Sequence, residues 1–420
     1  MLKFAFSSVA DLSIEEMRVA LVGYLLSRQR SQQFIAHVAD LGEADHAPSK
    51  AQDTLALLKK FAIEQDQLFY QSERLGRYQQ FALRLIEQDK AFACICETED
   101  AAHCCHDNSC LRDQKQISQR IKTEKLPFAI CIKAPETAIF FTDMVQGRIN
   151  TDPSEMSTFT LLKTDGTPTR EFASACDDLL SGVTLVVHSE KYPDTLSRQT
   201  YIKQSLGYTA NTEYLQLPAL LSKGEACGSV KALLEEGLLP DAILNHLLSL
   251  GIRTPDLRFT LPEALAWFDL DKLSRDPVAF DKKRLYQLNR EHLEAMDPLS
   301  LSRIFGFADA DIGALLKLYL PEAQTINALE KRIKAIFAPK PCTGEASAEM
   351  RHIAAVIQTA PMLDTFEAFT QHIVTQSGTE RERLSKPLRY LMTGTQSGPE
   401  LQAIYATIKP YITEIARCTP

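Results

Sequence analysis

The order of apolar patterns in the first 90 residues constrains this chain more than any other feature. A short apolar run, Lys3 to Phe6, is followed by a helical repeat at Ile14, Met17, Ala20, Leu21, Tyr24 and Leu25. A second run spans Phe34 to Val38, and amphipathic repeats cover Thr54 to Phe61 and Tyr78 to Ile86. Strand, helix, strand, helix predicts an α/β fold with a parallel sheet and helices on its faces, in which ligands sit beyond the carboxyl ends of the strands. Ser13 and Glu16 have the spacing of a capping box, a strong helix start in its own right.

Between Phe92 and about Thr169 the pattern shortens to candidate strands at Phe128 to Ile132, Ile139 to Phe141 and Phe159 to Leu162, with a turn at Asp165-Gly166. This predicts an insertion in the sheet domain. Phe172 to Cys176 and Val183 to His188 then read as strands, followed by a helix near Leu196 to Leu206 and a strand at Tyr214 to Leu217. From Val230 onward almost every segment is helical, with Pro339 to Glu345 as the best linker. At 420 residues the chain is too long for one core. No apolar run approaches the roughly 18 residues of a membrane helix, and no basic, apolar leader opens the chain, so a cytosolic, membrane-free protein is expected. The net charge of -8 argues against sequence-independent adhesion to nucleic acid. That acidity lies in the first two thirds, since residues 281–420 hold 17 Lys and Arg against 16 Asp and Glu.

Five of the ten cysteines fall between positions 94 and 110. In a reducing compartment a cluster of this kind points to metal ligands or buried thiols rather than disulfides. Cys94 and Cys96, then His106 and Cys110, give two pairs from which a tetrahedral zinc could take four ligands, and His103, Cys104 and Cys105 could substitute. Four protein ligands leave no open position, so such a zinc would be structural. A chance cluster of buried thiols is the alternative.

Several stretches together resemble bacterial glutamyl-tRNA synthetase, a class I aminoacyl-tRNA synthetase. They are Tyr70-Gln71-Ser72-Glu73-Arg74, Cys94-x-Cys96, Asp165-Gly166-Thr167-Pro168-Thr169 and Ala175-Cys176-Asp177-Asp178. Further along come Glu236-Gly237-Leu238-Leu239-Pro240, Ala242-Ile243-Leu244-Asn245, Lys386-Pro387-Leu388-Arg389, Thr393-Gly394 and Ser397-Gly398-Pro399-Glu400-Leu401. The resemblance spans nearly the whole chain. It implies a Rossmann-like parallel sheet split by an acceptor-arm insertion with a zinc knuckle, followed by an all-helical C-terminal region. The expected layout is a first half-sheet in 1–90, the insertion in 91–170, and the second half-sheet in 171–235. A stem-contacting helical region in 236–290 and an anticodon-binding-like domain in 291–420 complete it.

The motifs that carry the family's chemistry are altered. Its first strand starts with an Arg that holds the amino-acid carboxylates; Lys3 stands there, without the bidentate fork. In its His-Ile-Gly-His-like signature, Ser13 replaces the first His, and Glu15 and Glu16 occupy positions where the nucleotide approaches. Carboxylates there oppose a triphosphate. The second motif becomes His37-Val38-Ala39-Asp40-Leu41-Gly42, of which only Asp40 matches. After Pro168-Thr169 the family's Tyr-Asn is Arg170-Glu171, and the Arg that helps bind glutamate is His188. The Lys-Met-Ser-Lys-like loop is cut to Leu221-Ser222-Lys223-Gly224, with Lys223 as a remaining phosphate contact.

The reading that follows is a noncatalytic synthetase-like paralogue that keeps its scaffold and tRNA binding. Two others stay open. One is a working glutamate–tRNA ligase using ATP with magnesium, in which Lys3, His188, Arg170 and Lys223 supply the positive charge. The other is an enzyme with a different substrate, built on His37, His188, Asp40, Glu171, Glu190 and Lys191. Arg381, Arg383, Lys386 and Arg389 share one helix in the region that meets the anticodon arm in the family. A monomer is expected, with a protein of the translation machinery as an open further partner.

Overall fold

The computed structural model describes residues 1–41, 48–96, 109–189, 193–208, 212–221, 228–342 and 347–419. They form two compact units, residues 1–232 with 247–280, and residues 233–246 with 281–420.

The first unit opens with strand β1 (Leu2–Ser7), helix α1 (Ile14–Gln29), β2 (Phe34–Ala39), α2 (Pro48–Lys60) and β3 (Gln67–Tyr70). After a 3-10 turn at Gln71–Arg74 come α3 (Leu75–Glu87), β4 (Ala91–Cys94), α4 (Ser109–Arg112), α5 (Gln114–Glu124) and β5 (Ala129–Ile132). Then follow β6 (Ile139–Asp143), β7 (Gly147–Thr151), β8 (Phe159–Leu162), α6 (Arg170–Ser181), β9 (Leu185–Ser189), α7 (Pro193–Ser205) and β10 (Glu213–Leu217). The main sheet has the order β3-β2-β1-β9-β10-β6-β7, all parallel except the β6–β7 hairpin. Successive connections from β1 run outward to β2 and β3, whereas β9 lies on its other side. A crevice therefore opens at the carboxyl end of β1, the place where parallel sheets bind ligands. β4, β5 and β8 form a separate antiparallel sheet. The expected strand Ile139 to Phe141 thus joins the main sheet through β10.

One strand expectation is overturned. Phe172 to Cys176 lies in α6, capped by Thr169, whose side chain accepts from the Phe172 N–H. Phe172, Ala173, Ala175 and Cys176 are all buried, and a short apolar run of that kind does not distinguish a buried strand from a buried helical face. β3, Gln67-Leu68-Phe69-Tyr70, is half-buried throughout, and four residues are too few for an alternating pattern to mark it as a strand.

The first unit ends with short β11 (Leu220–Leu221), α8 (Val230–Glu235), α9 (Pro240–Ser249), α10 (Leu261–Trp267) and β12 (Val278–Ala279); α8 and α9 each cross the division between the units. The second unit continues with α11 (Lys282–Ala295), α12 (Pro298–Ile304), α13 (Ala310–Tyr319), α14 (Ile326–Phe337), β13 (Lys340–Pro341) and α15 (Ser347–Thr359). It closes with α16 (Phe366–Ser377), α17 (Arg381–Thr393), α18 (Leu401–Ile408), α19 (Ile412–Ile415) and β14 (Cys418–Thr419). Leu301, Leu315, Ile333, Ile353, Leu391 and Ile404 belong to its single apolar core. A Cβ at Gly313 would sit 1.7 Å from the Pro298 carbonyl oxygen, so only glycine allows α12 and α13 to pack so closely. The expected linker near 339 is instead tied down. β13 pairs with β14, Cys342 is disulfide-bonded to Cys418, and the Lys340 ammonium donates to the Ile415 carbonyl at 2.9 Å. Its buried stem fills space that a linker would leave open.

Candidate functional site

The floor beneath β1 and β2 is a buried cluster of charged side chains. Lys3, on β1, is buried; its ammonium pairs with Asp178 of α6 and donates to the Ser174 hydroxyl at 2.8 Å and the Ser174 carbonyl at 3.2 Å. The other oxygen of Asp178 pairs with Lys203 of α7 at 3.1 Å. Asp177 accepts from the Tyr78 hydroxyl at 2.8 Å, the Gln71 amide at 2.9 Å and Arg74 at 3.0 Å, and lies 3.4 Å from His37 Nδ1. Burial alone would raise the Asp177 carboxyl, but His37, Lys3 and Gln71 together bring it down to about 2. Burial holds His37 below its ordinary value. At His188 on β9, burial with Lys3 nearby pushes the imidazole down to about 4, so it is neutral at pH 7. The floor satisfies its own charges.

Two helix N-termini face the crevice region, and they differ. At α1 the Ser13 hydroxyl accepts from the Glu16 N–H, while the Glu16 carboxylate accepts from Ser13 N at 2.9 Å and Ser13 Oγ at 2.7 Å. The expected capping box is present. Its carboxylate lies at the positive end of the helix, with Glu15 in the same turn. The backbone joins this end to the residues that follow 222–227, since Ile14 N donates to Gly228 O and Val230 N donates to Leu12 O. Buried Arg18 fixes the chain before that loop, donating to Pro218 O at 2.7 Å and Leu250 O at 2.9 Å.

The second N-terminus, that of α6, borders a cavity of about 330 Å³ at the carboxyl ends of β1 and β2. Ser7, Ser8, Asp40, Thr160, Arg170 and Arg198 are among its lining residues, together with Lys163 and Glu171. Asp40 is turned toward the 3-10 turn, accepting from Ser72 N at 2.8 Å and Ser72 Oγ at 2.5 Å.

The structure therefore brings Asp40, Arg170 and Glu171 to one cavity and buries Lys3, His37 and Asp178 in the floor. Ser13, Glu15 and Glu16 form the α1 end. Ser222, Lys223, Glu190 and Lys191 lie outside the described residues. Gln71, Arg74, Tyr78 and Lys203 were given no role by the sequence reading, although Gln71 and Arg74 sit in the Tyr70 to Arg74 stretch that marked the resemblance. The local pattern does not mark Lys203 as having a buried partner, since its neighbours one turn back, Gln199 and Thr200, are polar.

Away from the crevice, the sulfurs of Cys94, Cys96 and Cys110 lie within 4.8 Å of one another, and Cys96 Sγ and Cys110 Sγ are 3.4 Å apart. Three converging thiols, from the end of β4, two residues beyond it and α4, fit the donor set of a tetrahedral zinc. His103, Cys104, Cys105 and His106 lie outside the described residues. In the second unit Arg381, Arg383, Lys386 and Arg389 all fall on α17, as expected. Arg381 and Arg383 are exposed, 3.8 Å from Glu367 and Glu380, whereas Arg389 donates to the Pro399 carbonyl at 2.9 Å. Among the described residues no helix is long and apolar enough to cross a membrane.

A family model for the catalytic domain of class I tRNA synthetases of the Glu and Gln type matches residues 2–287. The chain is 44% identical to glutamate–tRNA ligase 2 of a Sulfurovum species over 99% of its own length and all of that protein. It is 35% identical to glutamate–tRNA ligase 2 of Sulfurimonas denitrificans over the same shares. A glutamate–tRNA ligase structure from Elizabethkingia meningosepticum, solved with its amino acid, superposes with a TM-score of 0.77 at 19% identity, covering 99% of this chain and 98% of that one. The similarity runs the length of both units.

Proposed function

The chain belongs to the glutamate–tRNA ligase family of class I synthetases, and from that membership we propose a noncatalytic paralogue that keeps the scaffold and binds tRNA without forming an aminoacyl adenylate. The observation that carries this reading is the α1 N-terminus. Helix ends bind phosphate through free N–H groups and a positive dipole, and here Glu16 already occupies that end, with Glu15 beside it. A triphosphate arriving there meets two carboxylates instead of a vacant, anion-binding turn.

The amino-acid side supports the same reading. An active ligase with a rewired site would draw its positive charge from Lys3, His188, Arg170 and Lys223. Of these, Lys3 is committed to Asp178 and His188 is neutral, which leaves Arg170 among the described residues. Purified protein with glutamate, magnesium ATP and total tRNA is expected to give neither ATP–pyrophosphate exchange nor glutamylated tRNA. Exchange above the background of the same reaction without the protein would refute the reading.

On the same proposal, residues 91–170 are the acceptor-arm insertion, held by a structural zinc on Cys94, Cys96 and Cys110 with a fourth ligand such as His106. Residues 236–290 form the stem-contacting region, and 291–420, with α17, meet the anticodon arm. Metal analysis should find one zinc per chain, and removing it should loosen the small β4-β5-β8 sheet. tRNA affinity should fall steeply with salt as phosphates release counterions; a flat salt response would remove the tRNA reading.

A further inference from the structure

The cavity beside α6 keeps a charge pattern that the floor and the α1 end lack. Lys163, Arg170 and Arg198 line it, and none of the three has an ion-pair partner among the described residues. Arg198 is held over the Phe159 ring at 5.2 Å, which positions the guanidinium without consuming its N–H donors. Of the two carboxylates among the described residues of the wall, Asp40 directs both oxygens to Ser72, which leaves Glu171 as the one among them to oppose an anion. The first amides of α6, a 12-residue helix capped by Thr169, add the positive end of its dipole. Hydroxyls of Ser7, Ser8 and Thr160 complete the wall.

We propose that this cavity binds a phosphomonoester carried on a small hydroxylated body, the chemistry of a sugar phosphate. The phosphate sits among Lys163, Arg170 and Arg198 near the α6 amides, and the hydroxyl-bearing wall meets the polyol. A dianionic phosphate with three acceptor oxygens matches several cationic donors better than a carboxylate does. A volume of about 330 Å³ is at the small end of ligand cavities and suits a ligand of this size. The inference rests on the noncatalytic reading, since a site committed to adenylate formation would not be free for another ligand.

The test is titration calorimetry of the full chain at low ionic strength with ribose 5-phosphate, ribose and inorganic phosphate. Ribose 5-phosphate should bind, ribose should not, and inorganic phosphate should bind roughly tenfold more weakly because it lacks the polyol contacts. Arg170→Gln and Lys163→Gln, both at exposed positions, should each weaken ribose 5-phosphate by roughly tenfold or more while leaving the melting temperature of the free protein unchanged. No heat up to about 10 mM, or equal binding by the Lys163→Gln/Arg170→Gln double variant, would overturn the site. Equal affinity for inorganic phosphate would overturn the hydroxylated body. ATP–pyrophosphate exchange on the same preparation reads the noncatalytic proposal separately: exchange sinks that proposal whatever the titration gives, and missing heat without exchange sinks only the site.

Discussion

The N-termini of α1 and α6 obey the same electrostatics and reach opposite outcomes. Each presents unpaired amides and a positive dipole end. At α1 the chain supplies its own anion, with Glu16 closing back on Ser13. At α6 the cap is an uncharged Thr169, and the next residue is a cation at the mouth of a cavity. The floor beneath β1 repeats the α1 solution, since Lys3 and Lys203 share Asp178. The difference teaches that positive charge in a cleft counts toward a ligand only where no internal carboxylate has already taken it.

The strongest way to break this contrast is to remove the internal partner. Asp178→Ala leaves the Lys3 and Lys203 ammonium groups buried without a counterion, and it should destabilise the first unit by about 3–5 kcal/mol in urea unfolding. A loss below about 1 kcal/mol would mean the floor is wetter than its burial implies, and the distinction between internal and available charge would fail.

Acid should open the floor in two stages. Burial lowers His188 to about 4 from its ordinary 6.5, and Asp177 lies at about 2 against an ordinary 3.8. Both folded-state values lie below the unfolded ones, so both groups contribute stability that is complete above about pH 6.5 and is lost as pH falls. His188 contributes in the window between pH 6.5 and 4, at roughly 3 kcal/mol, and Asp177 in that between 3.8 and 2, at roughly 2 kcal/mol. His188→Gln should shrink the upper stage, to which the likewise lowered His37 and His246 also contribute, and leave the lower one. A single transition below pH 4 in the native sequence would show that His188 titrates normally.

What the sequence made legible follows from the range of the interactions involved. The capping box of α1 needs only Ser13 and Glu16 three residues apart, and it is present as read. The parallel core followed from strand–helix alternation, a local pattern repeated. Asp178 meets Lys3 from β1 and Lys203 from the next helix, and Lys3 reaches Ser174 across 171 residues, so no local pattern announces the cluster. For the same reason the ammonium of Lys3, read as a candidate ligand contact, is found paired with Asp178. Phe172 to Cys176 failed differently: the run is too short for periodicity to separate strand from helix, and the deciding residue was the cap at Thr169. The disulfide across β13 and β14 joins residues 76 apart, beyond any spacing rule that reads cysteine clusters.

The smallest expected effect gives the sharpest form of the contrast. Ser13→Ala removes the hydroxyl that caps α1 and should cost about 1 kcal/mol, while Glu16→Gln keeps the reciprocal hydrogen bond but loses its charge and should cost about half that. Arg170→Gln at α6 should leave stability within about 0.5 kcal/mol, because that cation stands at the wrong end of a dipole and has no internal partner. Thermal melts of the three variants in one buffer decide the matter. A measurable loss at both α1 positions with none at α6 means that the α1 charge belongs to the fold and the α6 charge is held for something that binds. If Arg170→Gln costs as much as Ser13→Ala, the α6 cation is structural as well, and the two helix ends are alike after all.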